Sequence, residues 1–223
     1  MELTKLTRRR AVDEVFEAIR EAILQHVFEP GQRLVVEDLA EKLGVSLTPV
    51  RSAMQMLTSE GLVETRPRSG TFVAHLSARD LEETFEIRLA LELLAVELAA
   101  RSIGPEQLER LRELLERLAT SAQQEDGRRQ HDEANQEFHK LLIEASGNKR
   151  LAEIYKSLNA HIQIARIHAV RADWRARLRD EQQEHERIVA ALEKRDAAAA
   201  SEAMRRHIEG AKRALLKEVE KGS

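Results

Sequence analysis

One stretch constrains this chain more than any other: Leu39-Ala40-Glu41-Lys42-Leu43-Gly44-Val45-Ser46, followed by Val50-Arg51-Ser52-Ala53. A helix-turn-helix needs a small residue where its helices cross, a glycine in the tight turn and apolar residues that pin the second helix. Ala40, Gly44, Val45, Val50 and Ala53 supply these at the right separations. The first short helix is expected to turn Leu39, Ala40 and Leu43 inward and to end at Gly44, where a left-handed residue is wanted. Ser46 reads as a strong N-cap for the next helix, and Pro49 falls in its first turn, where a missing N–H costs nothing. That helix presents Ser46, Leu47, Thr48, Arg51 and Ser52 in a form that fits a DNA major groove. The competing possibility is a helical hairpin inside a core.

The flanking segments favour the groove. Residues 11–27 place Val12, Val15, Phe16, Ile19, Ile23 and Leu24 on one helical stripe, stopped by Phe28-Glu29-Pro30-Gly31-Gln32. After Gly61, two short extended runs (62–66 and 71–74) flank Pro67-Arg68-Ser69-Gly70. This is a hairpin with a basic tip, placed where a wing would be. Bulk charge is silent: residues 1–74 hold 10 Lys/Arg against 11 Asp/Glu, and residues 75–223 hold 26 against 28. Position is what matters. Lys5, Arg8, Arg9 and Arg10 lie on the arm, with Arg33, Arg51, Arg66 and Arg68 beyond, while Asp13, Glu14, Glu17 and Glu21 can face away on the first helix.

From Ala78 onward only helical periodicity remains, broken at Gly104-Pro105, at 124–127, at Gly147-Asn148, weakly at 172–174, and at Asp196. About six helices of bundle length result. With 34% charged and only 3% aromatic residues, the composition suits helices. The absence of cysteine excludes disulfides, thiolate zinc sites and thiol redox sensing. Residues 1–10 are charged and unlike a signal peptide, and the apolar run 89–100 carries Glu92 and Glu97 and is too short to span a bilayer. The expectation is a cytoplasmic protein with no membrane partner.

Pro30-Gly31-Gln32-Arg33-Leu34, Leu39-Ala40, Gly44-Val45-Ser46, Thr48-Pro49-Val50-Arg51 and Gly61-Leu62-Val63 together resemble the winged-helix domain of GntR-family transcription regulators. The resemblance implies DNA contacts from Thr48, Arg51 and wing Gly70. Leu47 and Glu37 depart from it, since the family commonly carries Arg at both, so an operator sequence does not carry over. Leu47 can instead meet a thymine methyl. In the second half, Asn135-Gln136-Glu137-Phe138-His139-Lys140-Leu141-Leu142, Ala145-Ser146-Gly147-Asn148 and one histidine in each of the last two helices resemble the FCD class of that family.

Asn135 and His139 are four apart and share one helix face. His185 and His207 lie 11 residues either side of Asp196. If the two helices fold back on each other, both rings sit roughly 15–18 Å from the turn. Asn135, His139, His185 and His207 can then converge on a divalent ion, Zn²⁺ or Ni²⁺. The alternative is a set of ordinary histidines, satisfied in the core or exposed. Relatives mostly have Asp where Asn135 stands; the amide still offers a carbonyl oxygen but one negative charge fewer. The resemblance implies a small carboxylate effector at an open position on the ion, with Arg88, in an Arg-x-x-x-Glu pattern with Glu92, lining its pocket. The alternative for Arg88 is a helix-surface ion pair. His161 and His168, seven apart, either line the same pocket or form an exposed stripe.

The sequence therefore predicts a mainly α protein. Residues 1–75 form a winged helix-turn-helix of three helices plus a small β-hairpin. Residues 78–220 form an all-α antiparallel bundle for effector and metal binding and dimerisation. The candidate DNA contacts are Arg33, Ser46, Leu47, Thr48, Arg51, Arg66, Arg68 and Gly70. The function expected is a homodimeric, effector-released repressor on a two-fold symmetric DNA operator. One alternative is a DNA-binding architectural protein without metal or effector. The other, a helical-bundle metalloenzyme, lacks support: the positions three before His139, His185 and His207 are Gln136, Gln182 and Met204, not Glu.

Overall fold

The computed structural model describes residues 8–24, 27–74, 77–124, 127–168 and 177–222, with the side chains of 8–10, 24, 157, 160, 161, 163–168 and 218–222 excepted. By contact the chain divides into two units, Met1–Ser77 with Ala160–His168, and Ala78–Asn159 with Ala169–Ser223.

The first unit begins with α1 (Arg8–Leu24), which buries Val15, Phe16, Ile19 and Ile23 at the spacing of one helical stripe. The Pro30-Gly31 turn follows, with Gly31 left-handed at φ 76°, and leads into β1 (Arg33–Leu34). Next come α2 (Val36–Leu43) and α3 (Leu47–Ser59). Gly44 closes α2 at φ 65°, donating to Glu41 O at 3.2 Å while Val45 donates to Ala40 O at 3.0 Å. This paired closure satisfies two end carbonyls and turns the chain sharply into α3. α3 buries Val50, Ala53, Met54 and Leu57 and packs on α1.

Two expectations for this turn need correction. Leu43 is exposed at 37% rather than inward, because the tight closure at Gly44 leaves Leu39 and Ala40 to cover the core. Ser46 has the extended backbone of an N-cap, but its hydroxyl makes no capping hydrogen bond. One of the two amides such a cap reaches belongs to Pro49, which has no N–H.

β2 (Val63–Arg66) and β3 (Gly70–Val73) form the hairpin, with Val63 opposite Val73 and Arg66 opposite Gly70. The expected hairpin is in fact the larger part of a three-stranded antiparallel sheet in the order β1-β3-β2, Arg33 pairing with Phe72 and Leu34 with Thr71. A two-residue strand shows no alternation, so no sequence pattern announces β1. At the tip, Ser69 N–H donates to Arg66 O at 3.1 Å and Arg68 sits at φ 65°.

The second unit is built from α4 (Ala78–Ser102), α5 (Pro105–Gln123), α6 (Arg128–Ala145), the part of α7 (Lys149–His168) up to residue 159, α8 (Leu178–Glu193) and α9 (Ala197–Gly222). The helix breaks fall at the expected Gly104-Pro105, 124–127, Gly147-Asn148 and Asp196; the one expected at 172–174 lies outside the described residues. α4 packs on α9, α6 and α8, and α5 on α6 and α8. One stripe of α4 buries Leu81, Phe85, Ala95, Val96 and Ala99, and the same periodicity carries Arg88 and Glu92 into the core. Likewise His185 shares a buried face with Ile188, Val189 and Leu192, and His207 with Ala200, Met204 and Ile208. No helix among the described residues is long and apolar enough to cross a membrane.

Arg195, between α8 and α9, has φ 53°, and its guanidinium donates to Arg101 O at 3.1 Å and Ile103 O at 3.2 Å, closing the end of α4. Arg195→Ala keeps the unfavourable backbone and loses both bonds; Arg195→Gly loses the bonds but relieves the backbone. Urea unfolding is expected to rank wild type above Arg195→Gly above Arg195→Ala, with about 1 kcal/mol separating the two variants. Equal midpoints for the variants would show that the backbone conformation at 195 carries no cost.

Candidate functional site

The helical unit gathers its polar side chains at one place. Asn135 and His139, one turn apart on α6, are 2% exposed each; His185 on α8 and His207 on α9 are 0% and 1% exposed. The ring centroids of His185 and His207 lie 4.4 Å apart and those of His139 and His207 5.0 Å, with Phe138 packed 4.5 Å from His185. One nitrogen from each of the three rings falls within 4.8 Å of the others. The expected convergence of the three histidines is thus present.

Their orientation is set by carboxylates. His139 Nδ1 lies 2.6 Å from Glu92 Oε2, and His207 Nδ1 lies 2.9 Å from Glu184 Oε2. An ionised carboxylate only accepts, so each ring donates through Nδ1, and in the neutral form Nε2 is then its acceptor and ligating atom. The two Nε2 atoms then face each other at 3.1 Å. Two lone pairs at that distance repel unless a proton or a cation lies between them. Two imidazoles on one ion, with bonds of about 2.0–2.1 Å, have nitrogens about 3–3.4 Å apart. Burial, then the neighbouring imidazoles and the cations Arg88 and Arg177, hold His207 well below the ordinary histidine range, so the neutral ligand form is the favoured one.

Glu92 is 1% exposed and accepts from three elements: Arg88 Nε at 2.7 Å, Tyr155 Oη at 2.9 Å and His139. Burial alone would raise its pKa, yet Arg88 and His139 together hold the carboxyl far below the carboxylate range. Arg88, 1% exposed, is therefore a core ion pair and not the helix-surface pair that was one reading of its spacing. Glu184 is bound by Arg177 Nη2 at 2.6 Å, and burial raises its pKa with Arg177 opposing. Gly210 makes room for this pair, because a Cβ there would lie 2.3 Å from Arg177 Nη2.

Asn135 Nδ2 donates to Glu181 Oε1 at 2.6 Å. Since a carboxylate cannot donate, this bond fixes which end of the amide is which. It leaves Asn135 Oδ1 buried with no hydrogen-bond partner, as is Arg88 Nη1. A buried orphan acceptor one turn from His139, and an orphan N–H on the guanidinium that shares Glu92 with His139, are what a site built for a ligand leaves behind. The residues fit a divalent ion. Glu181, Glu184, Arg177, Tyr155 and Gly210 were not anticipated from sequence. Glu181, four before His185, carried a helix-face signal; the others carried none. The side chains of His161 and His168 lie outside those described.

In the first unit, Ser46, Leu47, Thr48 and Arg51 are exposed along the start of α3, with Leu47 37% exposed and Ser52 partly covered. Arg33, Arg66 and Arg68 are exposed on the sheet. Arg66 lies 4.7 Å over the Phe72 ring and pairs with Glu64, while Arg33 crosses Gly70, where a Cβ would meet its Nε at 2.9 Å. Lys5 lies outside the described residues, as do the side chains of Arg8, Arg9 and Arg10.

A pH dependence follows from His207. Its folded pKa is depressed, so below the unfolded value of about 6.5 the unfolded chain binds a proton that the folded chain does not. Stability of chelator-treated protein should be unaffected by this group above about pH 6.5 and should fall as pH drops below it. Urea midpoints across that range check this, and His207→Gln should flatten the slope; an unchanged slope in the variant would refute the assignment.

Residues 11–73 match the family model described as bacterial regulatory proteins, gntR family, and residues 83–210 match the FCD domain. The chain is 32% identical over 196 residues, covering 87% of this chain and 86% of the relative, to YdhC of Bacillus subtilis (strain 168), an HTH-type transcriptional regulator. It is 33% identical over 168 residues, 75% of this chain and 76% of the other, to McbR of Escherichia coli (strain K12). The solved structure of Escherichia coli McbR superposes with a TM-score of 0.81 at 28% identity, covering 93% of this chain and 97% of that one. A solved metal-free FCD domain, 22% identical and covering 66% of this chain and 99% of that one, shares the fold with a TM-score of 0.56. These relatives are transcriptional regulators, not enzymes. With a winged helix-turn-helix in its first unit and a helical FCD domain in its second, the chain belongs to the GntR family of transcription regulators.

Proposed function

We propose that this regulator is a repressor that binds a two-fold symmetric DNA operator as a homodimer. A small carboxylate effector, bound beside a divalent ion in the helical domain, releases it. Residues 1–75 bind DNA, and residues 78–220 sense and dimerise. Ser46, Leu47, Thr48 and Arg51 meet the major groove of one half-site, while Arg33, Arg66, Arg68 and Gly70 meet the flanking backbone. Asn135, His139, His185 and His207 hold the ion, Zn²⁺ or Ni²⁺, and Arg88 lines the carboxylate's place. When bound, the ion supplies an electrophilic centre with room for an anionic oxygen. Glu92 and Glu184 keep His139 and His207 in the ligating tautomer.

The observation that supports the metal reading is the meeting of three buried imidazoles, with the Nε2 atoms of His139 and His207 3.1 Å apart and the Nδ1 atom of each against a carboxylate. The exposed polar and cationic side chains along α3 and the wing support the DNA reading. Effector binding and DNA binding are then coupled between distinct sites, each altering the affinity of the other.

Protein purified without chelator should contain about one zinc or nickel ion per chain, and His185→Ala and His207→Ala should lose it. A metal-free protein whose DNA affinity is the same in both variants would sink the metal-linked sensor. For the DNA surface, duplexes selected from a random pool should contain a two-fold symmetric site. Arg51→Ala should weaken binding to that site by about 1–3 kcal/mol without moving the thermal midpoint. Unchanged affinity would remove Arg51 from the interface.

A further inference from the structure

The exposed residues of α3 are Leu47, Thr48, Arg51, Gln55, Thr58 and Ser59, and all but Leu47 are polar. Leu47, Arg51 and Gln55 follow at four-residue intervals and so share one face, beside the stripe that buries Val50, Ala53, Met54 and Leu57. Leu47 is the first residue of the helix and is 37% exposed. Its neighbours Ser46 and Thr48 carry hydroxyls, and that of Ser46 is not used in capping the helix. A hydroxyl donates or accepts, so it finds a partner on a phosphate or on any base. Leu47 has neither a donor nor a charge, and only apolar contact is open to it.

When a helix of this kind lies in the major groove, the residues at its N-terminal end are the ones that reach base edges. On those edges guanine shows two acceptors, adenine an acceptor and a donor, and cytosine a donor. The C5-methyl of thymine is the one apolar group among them. A leucine pressed onto guanine or adenine strips water from polar atoms and returns no hydrogen bond, which is unfavourable. Against a thymine methyl it removes apolar surface from water on both sides, which is favourable in proportion to the area covered. One side chain thus rewards one base and penalises the others, which is what discrimination requires.

We propose that Leu47 reads the C5-methyl group of a thymine in the major groove and sets the base preference at one position of the half-site. This rests on the DNA reading above and deepens it, because it names the chemical group recognised at one contact. The contact is uncharged and displaces no counterion. Its contribution to affinity is therefore insensitive to salt, unlike that of the wing arginines, whose phosphate contacts release counterions.

The test removes the methyl group and nothing else. The probe is a duplex that the wild-type full chain selects from a random pool, with its thymines replaced one at a time by deoxyuridine. Each replacement deletes one methyl and leaves base pairing and every hydrogen-bonding group in the groove unchanged. Wild-type binding should weaken by about fourfold at one thymine of the half-site, the worth of one buried methylene-sized group. At that position Leu47→Ala should bind the thymine and uracil duplexes equally, while Leu47→Met, which keeps an apolar side chain, should retain the methyl dependence. Both variants should keep the wild-type slope of affinity against salt. Thermal midpoints establish that the variants are folded, and the deoxyuridine series on the wild type needs no variant at all. A wild type indifferent to every thymine methyl overturns the proposal and leaves the DNA reading standing, as does a methyl effect that Leu47→Ala retains in full. A wild type that enriches no duplex from the pool overturns both.

Discussion

The carboxylate of Glu92 is the point on which the helical domain depends. Ionised and almost completely buried, it would cost several kcal/mol if left alone. It is tolerable because three donors close on it from three helices: Arg88 one turn earlier on α4, His139 on α6 and Tyr155 on α7. The bond to His139 also decides a tautomer, and through it the direction of a lone pair. Structural support and ligand chemistry are here the same bond, so neither can be altered without the other. Burial and charge oppose each other at this carboxyl, and charge prevails because two cationic or donor groups lie in direct contact.

His207 repeats the device on the other side of the site. Glu184 sets its tautomer, Arg177 holds Glu184, and Gly210 leaves the space for that guanidinium. The two supported rings are stacked with a 24° interplanar angle and aim their Nε2 atoms at each other. An apolar core of the same volume would be cheaper, since buried ion pairs are seldom net stabilising. What the polar arrangement provides is three imidazoles held in fixed orientations at one buried place.

The winged domain depends on backbone chemistry at a few points. Gly44 allows the sharp turn that sets α2 against α3, and Pro49 begins α3 while withholding an amide from Ser46. At the wing tip Arg68 occupies a left-handed conformation that glycine would adopt more readily. Arg33 lies across Gly70 in a space that a Cβ would close. Of the basic residues on this surface, Arg68 therefore holds a position that local conformation alone would give to glycine.

Much of this was legible in the sequence, because it rests on interactions between residues near one another along the chain. The three-period stripes, the Pro-Gly and Gly44 turns, and the breaks at 104–105, 147–148 and 196 each record a local backbone preference, and the helices and hairpin followed. The equal spacing of His185 and His207 about Asp196 encoded their meeting, given that the helices fold back. The inward placement of Leu43 and the capping bond of Ser46 failed because a neighbour, Gly44 or Pro49, decided them. What only the tertiary structure decided is which partner each buried polar atom finds. The pattern of Arg88 and Glu92 is the same on a surface or in a core. The Glu181–Asn135 bond, the Glu184–His207 bond and the Tyr155–Glu92 bond join residues 46, 23 and 63 positions apart. Hydrogen bonds and burial depend on distances in space, and a sequence specifies those only where a helix or a turn converts separation along the chain into separation in space.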